Sequence, residues 1–256
     1  MAGTTVRQRD IDEAAEILAM VDEFGGAPLP QLTDTDLCVF SDAFATMLDR
    51  DIWKAWLALP DAERVRRADL ARGFLLHRRL LRAVPDAPPS QSLRIQPKLG
   101  FILAARQYPS FLGLCSVPGT SQRSAPHLFG LSDASRAATP TLLMEQLSAR
   151  QLPTLGHIRE YGLLRPHRAA KVLASWLAGT VRDPANPACV LDIVNHSPQN
   201  QPHVERVTIR AASTSTSLRA EHTRPDGSYV QRAGLDETAL ADLLTPVLTA
   251  AASPQG

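Results

Sequence analysis

Apolar residues recur every three or four positions over residues 9–24, where Ile11, Ala14, Leu18 and Val21 predict a helix. Asp10 is its expected N-cap and Gly25-Gly26 its stop. The prolines of Ala27–Leu32 predict an extended segment. A second helix is expected after Asp34, to about Asp49, on the stripe Leu37, Phe40, Phe44 and Leu48. A short piece carrying Trp53 and Trp56 follows, and Pro60 ends it. Asp61–Arg82 reads as a helix, interrupted, if anywhere, near Gly73. Ala83–Ser92 is a Pro-rich loop, and Pro97 opens a helix that ends before Pro109.

The pattern then changes to short apolar runs of strand length at 110–117, 127–132 and 141–148, joined by turn-rich loops. Residues 149–164 are a poorly patterned connection. The order then repeats: Pro166 opens a helix closed by Gly179, and strand-like runs follow at 189–196, 203–211, 216–222 and 228–233. In 203–211, Val204, Val207 and Ile209 fall imperfectly on one face. Residues 236–251 close the chain as an amphipathic helix capped by Asp236, with Pro246 as a kink or early stop and 253–256 as a frayed tail. The expected fold is mixed α/β of the α+β kind. It has a mainly antiparallel sheet built from two pseudo-symmetric helix–βββ halves, N-terminal helices and a C-terminal helix. One domain is expected over 1–256, with halves of about 1–148 and 149–252.

Hydrophobic residues make up 44% of the 256 residues, which excludes a wholly disordered chain. No apolar run approaches the roughly 18 residues of a membrane span, and the N-terminal stretch lacks the apolar core of a signal peptide. Cys38, Cys115 and Cys189 lie far apart, so neither a disulfide framework nor a zinc site is expected, and a cytoplasmic location suits them. The net charge of +1 hides segregation: residues 1–60 are acidic and residues 61–110 basic. On a helical wheel Arg64, Arg67, Arg72, Arg78, Arg79 and Arg82 share one face, with Arg66 outside it. A helical, winged-helix-like unit over 34–107, using basic helix 61–82 and contacts from Arg64, Arg67, Arg78 and Arg79, is therefore the alternative, nucleic-acid-binding reading.

Motifs for nucleophile, metal and phosphate chemistry are absent, which points away from an enzyme and from any cofactor or metal. The closest approach to a catalytic pair is Asp192 with His196, at the same-face spacing of a strand; a surface pair is the plainer reading. The loop 118–124 holds Arg123 and two serines but opens no helix, so it lacks the usual anion site. Glu145 reads as an exposed strand glutamate. Trp53, Trp56 and Trp176 read as helix packing, with an interface anchor as the other option.

The layout resembles the EspG family, cytosolic chaperones of type VII (ESX) secretion in actinobacteria. The residues that carry this are the first helix with Gly25–Pro30 (GGAPLP), Ala71–Leu81 (ARGFLLHRRLL), Leu93–Val117, and a four-strand run reaching DGSYV before the closing helix. Two departures are expected: no strand before the first helix, and a short middle connection at 149–164. The resemblance implies two pseudo-symmetric halves sharing an antiparallel sheet. It also implies binding of the apolar helical tip of a secretion substrate, such as a PE/PPE-like or other WXG100-type helical pair. The docking loop it implies corresponds to Pro118–Pro126, with Arg123 for polar contacts and Val117, Leu128 and Phe129 as adjoining apolar positions.

Overall fold

The computed structural model describes residues 8–40, 50–85, 87–88, 92–120, 125–131, 140–195, 203–212 and 217–253. Among them are seven helices: α1 (Gln8–Phe24), α2 (Asp34–Val39), α3 (Arg50–Leu57), α4 (Asp61–His77), α5 (Pro97–Gln107), α6 (Pro166–Arg182) and α7 (Glu237–Ala252). Nine strands form one sheet: β1 (Gly26–Thr33), β4 (Phe111–Ser116), β5 (His127–Gly130), β6 (Leu142–Leu152), β7 (Gly156–Leu164), β8 (Cys189–Asn195), β9 (His203–Ala211), β10 (Leu218–Thr223) and β11 (Tyr229–Leu235). Two more, β2 (Leu81–Ala83) and β3 (Leu93–Ile95), pair antiparallel across the Pro-rich loop. The nine run in the order β1-β7-β6-β5-β4-β8-β9-β10-β11. The fold is thus mixed α/β with a large antiparallel sheet.

A proline-opened helix followed by four strands occurs twice, as α5-β4-β5-β6-β7 and α6-β8-β9-β10-β11. The first strands of the two sets, β4 and β8, are antiparallel neighbours from Phe111↔Asn195 to Ser116↔Val190. The expected connection over 149–164 is corrected: it is the end of β6, a turn and β7. Gly156 takes φ +85°, a conformation that costs glycine little, and its turn hides between runs whose apolar pattern is weak.

The chain divides into two compact units, residues 1–107 with 147–161, and residues 108–146 with 162–256. In the first, α1 packs on β1 and α5. Asp10 is not an N-cap; the helix starts at Gln8, and Asp10 turns inward to pair with Arg94 at 2.5 Å. The buried stripe is accordingly Asp10, Ile17 and Val21, while Ile11 is exposed. Gly25, at φ +73°, ends the helix as expected. The helix after Thr33 stops at Val39, short of the expected Asp49, and Phe44 and Leu48 lie outside the described residues. Thr33 caps it: its side chain accepts the Asp36 N–H while Asp36 Oδ2 accepts the Thr33 N–H at 2.7 Å. α4 runs unbroken through Gly73 and ends at His77, so Arg78, Arg79 and Arg82 lie beyond it and not on its face.

In the second unit, α6 and α7 cover one sheet face. Ala169, Ala170, Ala174 and Ala178 let α7 approach closely, while Leu173 and Leu177 fill the space between. Burying each leucine contributes about 1.5–3 kcal/mol. The sheet side of this core includes Phe111, Leu128, Leu142, Leu191, Val207, Ile209 and Leu218. Val204 does not join Val207 and Ile209; it is exposed on the other face, opposite Val194. Asp236 caps α7 by accepting the Ala239 N–H at 2.7 Å, and the helix continues through Pro246 to Ala252. All three cysteines are buried, and none is in a disulfide. Burial pushes the Cys115 thiol well above its ordinary range, and the Cys189 thiol up to about 11, so neither is a thiolate nucleophile.

Candidate functional site

The expected docking residues divide sharply. Val117 is 2% exposed, and Leu128 and Phe129 are fully buried. Val117 and Leu128 belong to the α6–α7 core, so in this fold they pack the interior and offer no surface. Arg123 lies outside the described residues. The feet of its loop are clear: Gly119, at φ +82°, turns the chain after Val117, and Ala125 returns into the core.

A surface does exist on α6. Gln146, Arg168, Lys171, Val172, Ser175 and Trp176 line an open cleft of about 500 Å³. Five of the six lie on α6 at helical spacing, which puts them on one face. Gln146 follows Glu145, which pairs with His127 on β5. Residues 165–182 contain Arg165, Arg168, Lys171 and Arg182 but no acid. Neither Arg168 nor Lys171 forms an ion pair with another described residue. The cleft therefore offers two uncommitted cations, two neutral polar groups and a half-buried indole. Its signal was legible in the sequence as an acid-free helix with one long stripe.

The basic helix is largely self-compensated. Arg64 pairs with Asp61, Arg66 and Arg67 both bond Glu63 at 2.7–2.8 Å, and Arg72 bonds Asp69 at 2.8 Å. The two arginines hold Glu63 down to about 2 by hydrogen bonding. Arg78 and Arg79 are exposed past the helix end, Arg79 at φ 57°. These pairs reduce the positive charge that α4 presents to a phosphate backbone.

Asp192 accepts two bonds from Arg206, at 2.6 and 2.9 Å, across β8 and β9. Both carboxylate oxygens are engaged, and His196 lies outside the described residues. Glu145 is corrected: it is 2% exposed, facing His127 at 3.6 Å on the neighbouring strand. Period-2 alternation assigned it to the face opposite Met144, but both faces of β6 are covered there. Trp53 and Trp56 are half-buried on a helix with no buried residue. Among the described residues no group of three His, Cys, Asp or Glu is placed to hold a metal, and no helix is long and apolar enough to cross a membrane.

Two further carboxylates of the first unit are buried, Asp34 against the remote Arg159 and Asp36 against its neighbour Thr33. Asp36 is 3% exposed, and its Oδ1 has no hydrogen-bond partner. Burial raises its pKa, against smaller lowering effects of the Thr33 bonds and Arg78. A raised carboxyl pKa contributes stability below the unfolded value, about 3.9, and loses it as pH rises through the folded value. Asp36→Asn is therefore expected to match the wild type at pH 4 and to exceed its melting temperature at pH 7. Thermal scans at the two pH values check this; a variant equally displaced at both would contradict it.

Comparison with protein-family models, curated proteins and solved structures finds no match to this chain.

Proposed function

We propose that the protein is a non-enzymatic, cytosolic binding protein of the EspG kind, which covers the apolar helical tip of a type VII secretion substrate until export. The observation that carries this reading is the sheet order, in which two proline-opened helix–four-strand sets meet through β4 and β8. That is the two-halves layout the resemblance implies. Exposed apolar tips aggregate, and a chaperone that buries them keeps the substrate dispersed.

The cleft on α6 supports the reading. It combines a tryptophan, half-buried apolar surface and two cations, a mixture suited to a helix end. The carbonyls at a helix C-terminus carry partial negative charge, which Arg168 and Lys171 complement. Val117, Leu128 and Phe129 then support the sheet beneath and are not contacts themselves.

Co-expression with a PE/PPE-like or WXG100-type helical pair encoded beside its gene tests the reading. Copurification of a stable complex is expected. Lys171→Glu should weaken it by about tenfold, an interface effect of about 1.4 kcal/mol, with the melting temperature of the free protein unchanged. No complex with any such neighbouring pair, in isothermal titration or gel filtration, would overturn the proposal.

A further inference from the structure

The strand that ends the sheet order is unused by this reading. Among the described residues β11 pairs with β10 alone, and no described strand lies along its outer edge. Residues 229–234 are all exposed, so the helices on one face do not cover this edge. The pairing is regular from Ala220↔Arg232 through Thr223↔Tyr229, and the one irregularity lies past it, between Leu218 and Ala220. A straight run of backbone donors and acceptors therefore faces outward. Strands at sheet edges invite pairing unless proline, lysine or a bulge blocks it. At the other end of the order, β1 carries Pro28 and Pro30, each without a donor. β11 carries neither proline nor lysine along its regular stretch.

The charge around this edge is one-sided. Arg232 shares the helix-bearing face with Val230, since their partners Ala220 and His222 lie on that face with the core residue Leu218. On the opposite face Arg210 and Arg219 stand directly across from one another, both exposed. Like charges so placed oppose pairing unless an anion joins them. None of the three makes an ion pair with a described residue. The nearby acids are engaged, Asp192 with Arg206, Glu205 with His222 at 2.5 Å, and Asp226 with the Ser228 N–H. Glu221 remains, on the face of Arg219.

We propose that β11 is a docking edge for an extended acidic segment of a partner protein, which adds a tenth strand to the sheet. The backbone supplies affinity, and alternate side chains supply selectivity. A glutamate or aspartate of the segment sits beside Arg232, and an apolar, β-branched residue sits beside Tyr229 on the other face. A second copy of β11 fits less well, because Tyr229–Leu235 contains no acid to answer Arg232. The site is separate from the α6 cleft and stands whether or not the helical-tip reading does.

The probe is a fluorescein-labelled octapeptide alternating valine and glutamate, titrated with the full-length protein by fluorescence anisotropy. Binding is expected, with the matched valine–lysine peptide weaker by about fivefold or more. Methylating alternate peptide nitrogens is expected to abolish binding, which a purely ionic contact would not require. Arg232→Glu, an exposed change that leaves the fold intact, is expected to invert the preference toward the valine–lysine peptide. Equal binding of both peptides, or indifference to methylation, would overturn the proposal. So would a dimer in sedimentation velocity that Arg232→Glu dissociates, because the edge would then belong to a second copy.

Discussion

Asp34→Ala is expected to destabilise the protein by about 3–5 kcal/mol. Asp34 Oδ1 accepts a bond from Arg159 Nε at 3.1 Å, with both side chains under 10% exposed. Its other oxygen accepts the His157 N–H at 2.8 Å. Truncation takes the Asp34 carboxylate away from a buried guanidinium and leaves a backbone donor without its acceptor. That cost is a large share of the 5–15 kcal/mol stability usual for a folded protein. Gly156 seals the site from above: a Cβ there would stand 2.7 Å from Asp34 Oδ2, on a backbone already at φ +85°. Urea denaturation of the variant gives the magnitude. The double change Asp34→Leu with Arg159→Met is expected to recover most of the loss, because removing both charges removes the desolvation penalty. If the single variant lost under about 1 kcal/mol, a value ordinary for exposed pairs, the pair would not be buried in solution.

Leu128→Ala is expected to cost about 2–5 kcal/mol, the range for truncating a fully buried leucine. Leu128 lies on β5 opposite Gly113, and fills the space that a side chain at 113 would need: a Cβ there would meet Leu128 Cβ at 2.9 Å. The cavity left behind adjoins a glycine, which has no side chain to refill it. The same variant separates two roles for this residue. A core leucine lowers the melting temperature of the free protein, whereas a docking leucine leaves it unchanged and weakens partner binding alone. Gly113 also makes the room that turns Leu128 into an interior residue. The short run 127–130 beside a turn-rich loop carries no sign that a glycine on the neighbouring strand makes room for it.

The candidate site was legible in part. The α6 stripe and the acid-free composition of residues 165–182 are visible once a helix is placed there. The cleft itself requires Gln146, a residue from another element. The basic helix shows the converse. Its wheel placed Arg78 and Arg79 with Arg64 and Arg67, but the helix ends at His77, and its own acids at 61, 63 and 69 answer the arginines that remain. Charge sorted by block could not separate the two cases, because spacing of three or four residues pairs opposite charges within the block.

What the sequence determined by itself were the elements and their order: the proline openings at Pro97 and Pro166, the Gly25 stop, the Asp236 cap, and seven of the eight strands in the two sets. Each depends on groups within a few residues, where backbone hydrogen bonds and side-chain period are decided locally. Tertiary structure alone decided that Glu145 is buried, that Val204 is exposed, that Asp34 meets Arg159 across 125 positions, and that β11 ends the sheet. Burial and pairing depend on which remote strand or helix arrives alongside, and that is settled by the whole core closing at once.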